Sequence, residues 1–150
     1  MSDARSLVAV FDSPVAGHLL EFAATLGYRT ALADPGLDGV DIDAGTDIVV
    51  CDHDRPELGP VLRDALASPA RWIGVMGTPR HEGPHVEALQ RLGVSAADIA
   101  RVHRPVGLNI GSRTPPEIAL ATLAGLVADR NGRPGGFAFQ PPGPDPATRP

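Results

Sequence analysis

The chain has 150 residues, 43% hydrophobic and 21% charged, which suits one domain with a single buried core. Its net charge is −5, and its thirteen basic residues, all arginine, are scattered instead of striped, which argues against a nucleic-acid partner. Cys51 is the only cysteine, which excludes an intrachain disulfide or a cysteine zinc cage and fits a reducing cytoplasm; the polar opening Met1–Ser6 and the lack of any apolar run near ~20 residues argue against a signal peptide or a membrane span.

Leu7–Phe11 is a short apolar run that reads as a first strand. The helix pattern that follows carries Ala16, Leu19, Leu20, Ala23, Ala24 and Leu26 inward and ends at Gly27. A second strand is expected over Arg29–Ala33, stopped by Asp34-Pro35-Gly36, with loop over 36–46. Asp47–Cys51 is a third strand whose nearly continuous apolar core suits cover on both faces. A helix from near Pro56 to Ala67 follows, then a fourth strand at Trp72–Met76.

Residues 80–92 read as helix, with an uncertain start at Gly83-Pro84, and Ser95-Ala96-Ala97-Asp98 opens a short one. The segment 104–113 reads as loop with room for a short strand. Thr114-Pro115-Pro116-Glu117 combines a cap, a proline at the first helical position and a glutamate at the third, so it starts a helix over 115–130 that stops at Asn131-Gly132. From residue 133 to 150 the chain is Pro- and Gly-rich with only Phe137 and Phe139 to bury, and disorder or loose docking is expected.

Alternating strands and helices give an α/β fold: a Rossmann-like parallel sheet with helices on both faces, in a single domain over 1–132. Ligands in such sheets sit beyond the carboxyl ends of the strands, where the strand order reverses. That rule directs attention to residues 12–17, Asp34, 52–54 and 77–80.

A dinucleotide fingerprint would place G-x-G-x-x-G at residues 12–17, which here read Asp-Ser-Pro-Val-Ala-Gly. Pro14 removes a backbone donor, and a carboxylate at Asp12 ~4 Å from a phosphate would cost about 4 kcal/mol at an effective dielectric of about 20. NAD, NADP and FAD are therefore not expected here in the usual way. Gly17 is expected to serve close helix-to-strand packing or, as the surviving fingerprint glycine, a cofactor.

Asp34 stands where an acid would hold a ribose hydroxyl, although Asp-Pro-Gly is also a turn in its own right. His53 and Asp54 follow the third strand; the histidine could move protons, contact a phosphate or bind metal, and Asp54 could instead cap the next helix. Cys51 reads as core before it reads as a sulfur carrier or metal ligand. Gly77, Thr78 and Arg80 form a turn able to offer backbone donors and a guanidinium to an anion. Asn109, Ser112 and Arg113 could line the crevice, Glu117 reads as a cap, and His18, His81, His85 and His103 show no metal-like spacing. No nucleophile, base and orienting acid come together, so an enzyme is not the favoured reading.

With "IGVMGTPR" at 73–80 and "RVHRPVGLNIGSRTPPEIALATLAGLVADRNGR" at 101–133, the chain resembles the Rossmann domain of the XdhC/CoxI family, the accessory proteins of xanthine and carbon monoxide dehydrogenases. The resemblance runs from about residue 5 to 132, includes "DIVVCDHD", and places Arg80 at a basic position of the family motif. It implies a chaperone-like role in maturing molybdenum hydroxylases, by binding molybdenum cofactor (molybdopterin) and helping to insert it. The implied partner is a hydroxylase or a separately encoded counterpart of the family's amino-terminal domain, and apolar helix faces make a homodimer an option. Two other readings stay open: a degenerate Rossmann interaction module without ligand, and a nucleotide-dependent oxidoreductase with an atypical binding turn.

Overall fold

A computed structural model describes residues 4–77, 83–137 and 139. Four parallel strands, β1 (Ser6–Val10), β2 (Arg29–Ala33), β3 (Thr46–Val50) and β4 (Trp72–Val75), lie in the order β2-β1-β3-β4. β1 pairs residue for residue with both neighbours, Val10 standing between Ala33 and Val50. Its five residues are all buried, as are those of β3, which is why both read, after a polar start at Ser6 and at Thr46-Asp47, as continuous apolar runs and not as alternating ones.

Helices cover both faces. α1 (Pro14–Thr25) and α5 (Pro115–Arg130) sit on one, where Leu19, Ala23, Leu123 and Leu126 meet Leu7, Ala9 and Val49. On the other, α2 (Leu58–Ala67), α3 (Pro84–Arg91) and α4 (Ala96–Ile99) contribute Val61, Leu62, Leu89 and Ile99 to a cluster with Val8, Val10, Ile48 and Val50. Each fully buried leucine is worth about 1.5–3 kcal/mol relative to exposure. The β2–β3 connection contains no helix; its Leu37, Val40 and Ile42 pack on that second cluster instead.

Element order and type agree with the sequence reading, and the differences lie at ends. β1 stops at Val10 because Phe11 turns to φ 74°, a left-handed backbone that costs a non-glycine residue about 1–2 kcal/mol. Cys51 and Met76 leave their strands but still donate N–H to Val10 and Val50. α2 begins at Leu58 and not Pro56; Glu57 is its N-cap, so Asp54 does not cap it. α3 begins at Pro84 with Gly83 as cap, a later start than residue 80, since proline fits the first helical position. In place of a strand within 104–113, only His103, one residue earlier, bridges to β4. α5 spans 115–130 as expected, with both halves of its capping box formed.

Gly17 does not pack helix to strand: it is exposed on α1, and an added Cβ there would meet nothing within 4 Å. Phe137 and Phe139 are 98% and 89% exposed and bury nothing.

Candidate functional site

The strand order reverses between β1 and β3, because the chain moves from β1 outward to β2 and then returns to the opposite side of β1. Beyond the carboxyl ends of these strands lies a cleft of about 770 Å³. Cys51, Asp52 and His53 form its floor after β3, Gly77 follows β4, and Asn109 and Ser112 come from the loop before α5. Val15, Met76, Val106, Leu108 and Ile118 supply apolar walls. A second cleft, about 550 Å³, runs along β2 and the loop at 38–41 and contains none of the candidate residues.

Each polar group on the floor is fixed by its neighbours. His53 Nδ1 lies 3.1 Å from the Met76 carbonyl oxygen. Since a carbonyl only accepts, Nδ1 carries the hydrogen, and the neutral ring then presents Nε2 as an acceptor. Asp54 has a well-exposed side chain with Oδ1 3.7 Å from that Nε2. The Asp54 N–H donates to Asp52 Oδ1 at 2.8 Å, a local turn that holds the Asp52 carboxylate in place. Burial, then the neighbouring Asp52 charge, pushes the Cys51 thiol up to about 12, and its S–H points at the Val49 carbonyl at 3.6 Å. Cys51 is therefore a packed thiol held in its protonated form, in keeping with its place at the end of a buried strand.

The loop reaches the cleft because it is pinned to α5. Gly107, at φ 92°, lets the backbone lie against the helix, and the Leu108 N–H donates to the Ala121 carbonyl at 3.0 Å. Farther along, the Arg113 and Thr114 N–H groups donate to Glu117 at 2.9 and 3.3 Å, which holds that carboxyl below its ordinary value. Glu117 is a cap, as its spacing implied.

Asp34 lies elsewhere. Arg55 grips it with two hydrogen bonds, 2.8 and 3.1 Å, and the Asp12 N–H donates to it at 2.9 Å. The Arg55 guanidinium lies 4.4 Å over the Phe11 ring, and its Nε donates to Glu57 at 3.2 Å. Asp34 thus locks the β1–α1 turn, and its carboxylate is committed to that task. The sequence reading missed Arg55; the Asp34 and Arg55 pair is separated by 21 residues, so no local pattern signalled it.

The Arg55 and Asp12 hydrogen bonds hold the Asp34 carboxyl at about 2, below its usual 3.8. A depressed acid stabilises the fold above its unfolded value and stops doing so as pH falls through its folded value. Asp34→Asn is therefore expected to be less stable than the parent at pH 7, with the gap closing between pH 4 and 2. Urea midpoints of both proteins across that range check it; a gap independent of pH would assign the difference to shape and not charge.

At the start of α1, Pro14 has no N–H, and Ser13 Oγ accepts the Ala16 N–H at 3.1 Å, so the helix end is capped from within. Of the expected site residues, His53, Gly77, Asn109 and Ser112 come together at the cleft, with Asp54 and Arg113 next to lining residues in sequence. Gly17 and Asp34 are not among its lining, and Thr78 and Arg80 lie outside the described residues, as does His81. The walls from Val15, Met76, Leu108 and Ile118 were not foreseen, because apolar residues at helix starts and loop turns look like ordinary core. Among the described residues no three His, Cys, Asp or Glu side chains gather as a metal site, and no helix is long and apolar enough to cross a membrane.

Comparison with known proteins agrees with the fold. The chain is 35% identical over 97 residues to YqeB, an uncharacterized protein of Escherichia coli K12, covering 65% of this chain and 17% of that protein. It is 28% identical over 110 residues to the molybdenum cofactor insertion chaperone PaoD of the same organism, covering 72% of this chain and 35% of PaoD. The chain therefore spans only about a third or less of these relatives. In structure it matches a xanthine dehydrogenase from Bacillus halodurans with a TM-score of 0.67 over 87% of this chain and 44% of that one, at 22% identity, a likeness of fold. The XdhC Rossmann domain matches residues 7–126, from β1 into the last turns of α5, and the chain belongs to that family.

Proposed function

We propose that this chain binds molybdenum cofactor as cargo in the β1/β3 cleft and supports its insertion into a molybdenum hydroxylase, without catalysing a reaction of its own. The observation that carries the reading is a roomy switch-point cleft with apolar walls and a few fixed polar groups, in a chain that belongs to the XdhC Rossmann family and is similar to PaoD, a molybdenum cofactor insertion chaperone. About 770 Å³ falls within the 300–1,000 Å³ usual for sites that hold cofactor-sized molecules. Val15, Leu108 and Ile118 would cover a flat ring and exclude water, while His53, Asn109 and Ser112 would orient it. Gly77, Asp54 and Arg113 adjoin these contacts and are the outer members of the proposed site. The partner is a hydroxylase apoprotein or a polypeptide carrying the remainder of a longer relative.

A dinucleotide fits less well. The amino end of α1 is capped by Ser13, lacks a donor at Pro14 and carries Asp12 beside it, so little is left to receive a pyrophosphate.

Native mass spectrometry of the protein purified anaerobically from a host that makes molybdenum cofactor tests the proposal. An adduct of molybdopterin mass is expected, and it should weaken in His53→Ala. A bare protein, or an adduct of dinucleotide mass, would overturn it.

A further inference from the structure

The chemistry of the cleft floor indicates which part of the cargo enters, an inference that rests on the reading above. His53 is fixed with Nδ1 donating to Met76, and in the neutral tautomer set by that bond the lone pair sits on Nε2, 3.7 Å from Asp54 Oδ1 at the edge of the cleft floor. Asp52 has Oδ1 engaged by the Asp54 N–H, which fixes the carboxylate in place and leaves Oδ2 for a ligand. The Cys51 S–H is turned toward Val49. The described lining includes no arginine, so the floor is a pair of acceptors between apolar walls.

An anionic group entering there would face a like charge at Asp52. A flat aromatic edge with adjacent N–H donors would instead satisfy both acceptors, as carboxylates do for amino groups on nucleobases. The 2-amino-4-oxopyrimidine edge of a pterin has such donors at its ring N–H and amino group. We infer that the cleft takes molybdopterin by this edge, with Asp52 accepting from it and His53 Nε2 as the second acceptor. Asp52, inside the 52–54 segment to which the fold rule already directs attention, is thus a specificity-determining contact.

A guanine base carries the same type of edge, so the test separates the two sources. The intact protein is titrated with 6-hydroxymethylpterin phosphate, with the matching lumazine, which has an oxo group in place of the 2-amino group, and with guanosine monophosphate. The pterin is expected to bind about tenfold or more tightly than the lumazine, because a polar site left unpaired rejects the analogue. Asp52→Asn should abolish or reverse that preference, because its amide oxygen can still accept the Asp54 N–H while its NH2 group meets the 2-position as a donor, repelling the pterin amino group and pairing with the lumazine oxo group; an unchanged urea midpoint would confirm an intact fold.

Equal binding of pterin and lumazine by the unmutated protein would overturn the inference without recourse to any variant. So would tighter binding of guanosine monophosphate than of the pterin, or an undiminished preference in Asp52→Asn. If the molybdopterin adduct forms while pterin and lumazine bind alike, the edge assignment fails and the cargo reading stands; if no adduct forms, the cargo reading fails as well.

Discussion

Asp47→Ala is expected to destabilise the protein by about 3–5 kcal/mol, the range for removing one partner of a buried charge network. The Asp47 side chain is fully buried at the amino end of β3. Arg71 Nε donates to one of its oxygens at 2.7 Å and Arg130 Nε to the other at 3.1 Å. Burial pushes the carboxyl up, and the two guanidiniums pull against that rise. Removing the carboxylate leaves two partly buried cations with less to bind: Arg71 keeps Asp129 at 2.7 Å, and Arg130 keeps the Gly45 carbonyl at 2.6 Å. Because Arg130 closes α5 and Arg71 precedes β4, the network ties both to the central strand.

For a chain of this size the loss corresponds to a Tm lower by roughly 6–20 °C. Urea unfolding checks the free energy; a change below about 1 kcal/mol would mean that water already compensates the network. The cleft should be spared. Asp47 stands near the amino end of β3 and Cys51 just past its carboxyl end, about 13 Å apart in an extended chain, so ligand affinity of the folded fraction should not change.

This network also shows where a linear reading stops. β2 and α5 were legible to the residue, because a Gly/Pro boundary or a capping box fixes each end through contacts within four residues. The switch point was legible too, since strand alternation alone predicts where a parallel sheet opens. Asp47 looked like the edge of an apolar run, yet its partners stand 24 and 83 residues away. Asp34 likewise looked free for a ribose until Arg55 closed on it. The departure of Phe11 into a left-handed backbone had no signal either, because the residue there is not glycine. Paired charges and tertiary override of backbone preference are long-range effects, and local propensity does not encode them.

Gly107→Val is expected to be the most damaging change to the cleft itself. At φ 92° a β-branched residue is a strained outlier, and even a bare Cβ would sit 3.0 Å from the Ala121 carbonyl carbon and the Thr122 nitrogen. Both atoms are backbone of α5, so no side chain can swing aside. The loop must lift, breaking the Leu108 to Ala121 hydrogen bond and carrying Leu108, Asn109 and Ser112 away from the cleft. Gly125 has an added Cβ position 3.3 Å from Gly107, which marks the same backbone-to-backbone approach from the helix side. Affinity for the cleft ligand should fall about tenfold or more, equivalent to about 1.4 kcal/mol, and the urea midpoint should fall with it. Gly132→Ala is the control: its φ is 66°, but the space around its added Cβ is open and it lies past the end of α5. It should lose about 1–2 kcal/mol of stability from backbone strain alone and bind as the parent does. If Gly107→Val folds and binds like Gly132→Ala, the loop is not what shapes the cleft, and recognition belongs to the β3 floor residues Asp52 and His53 alone.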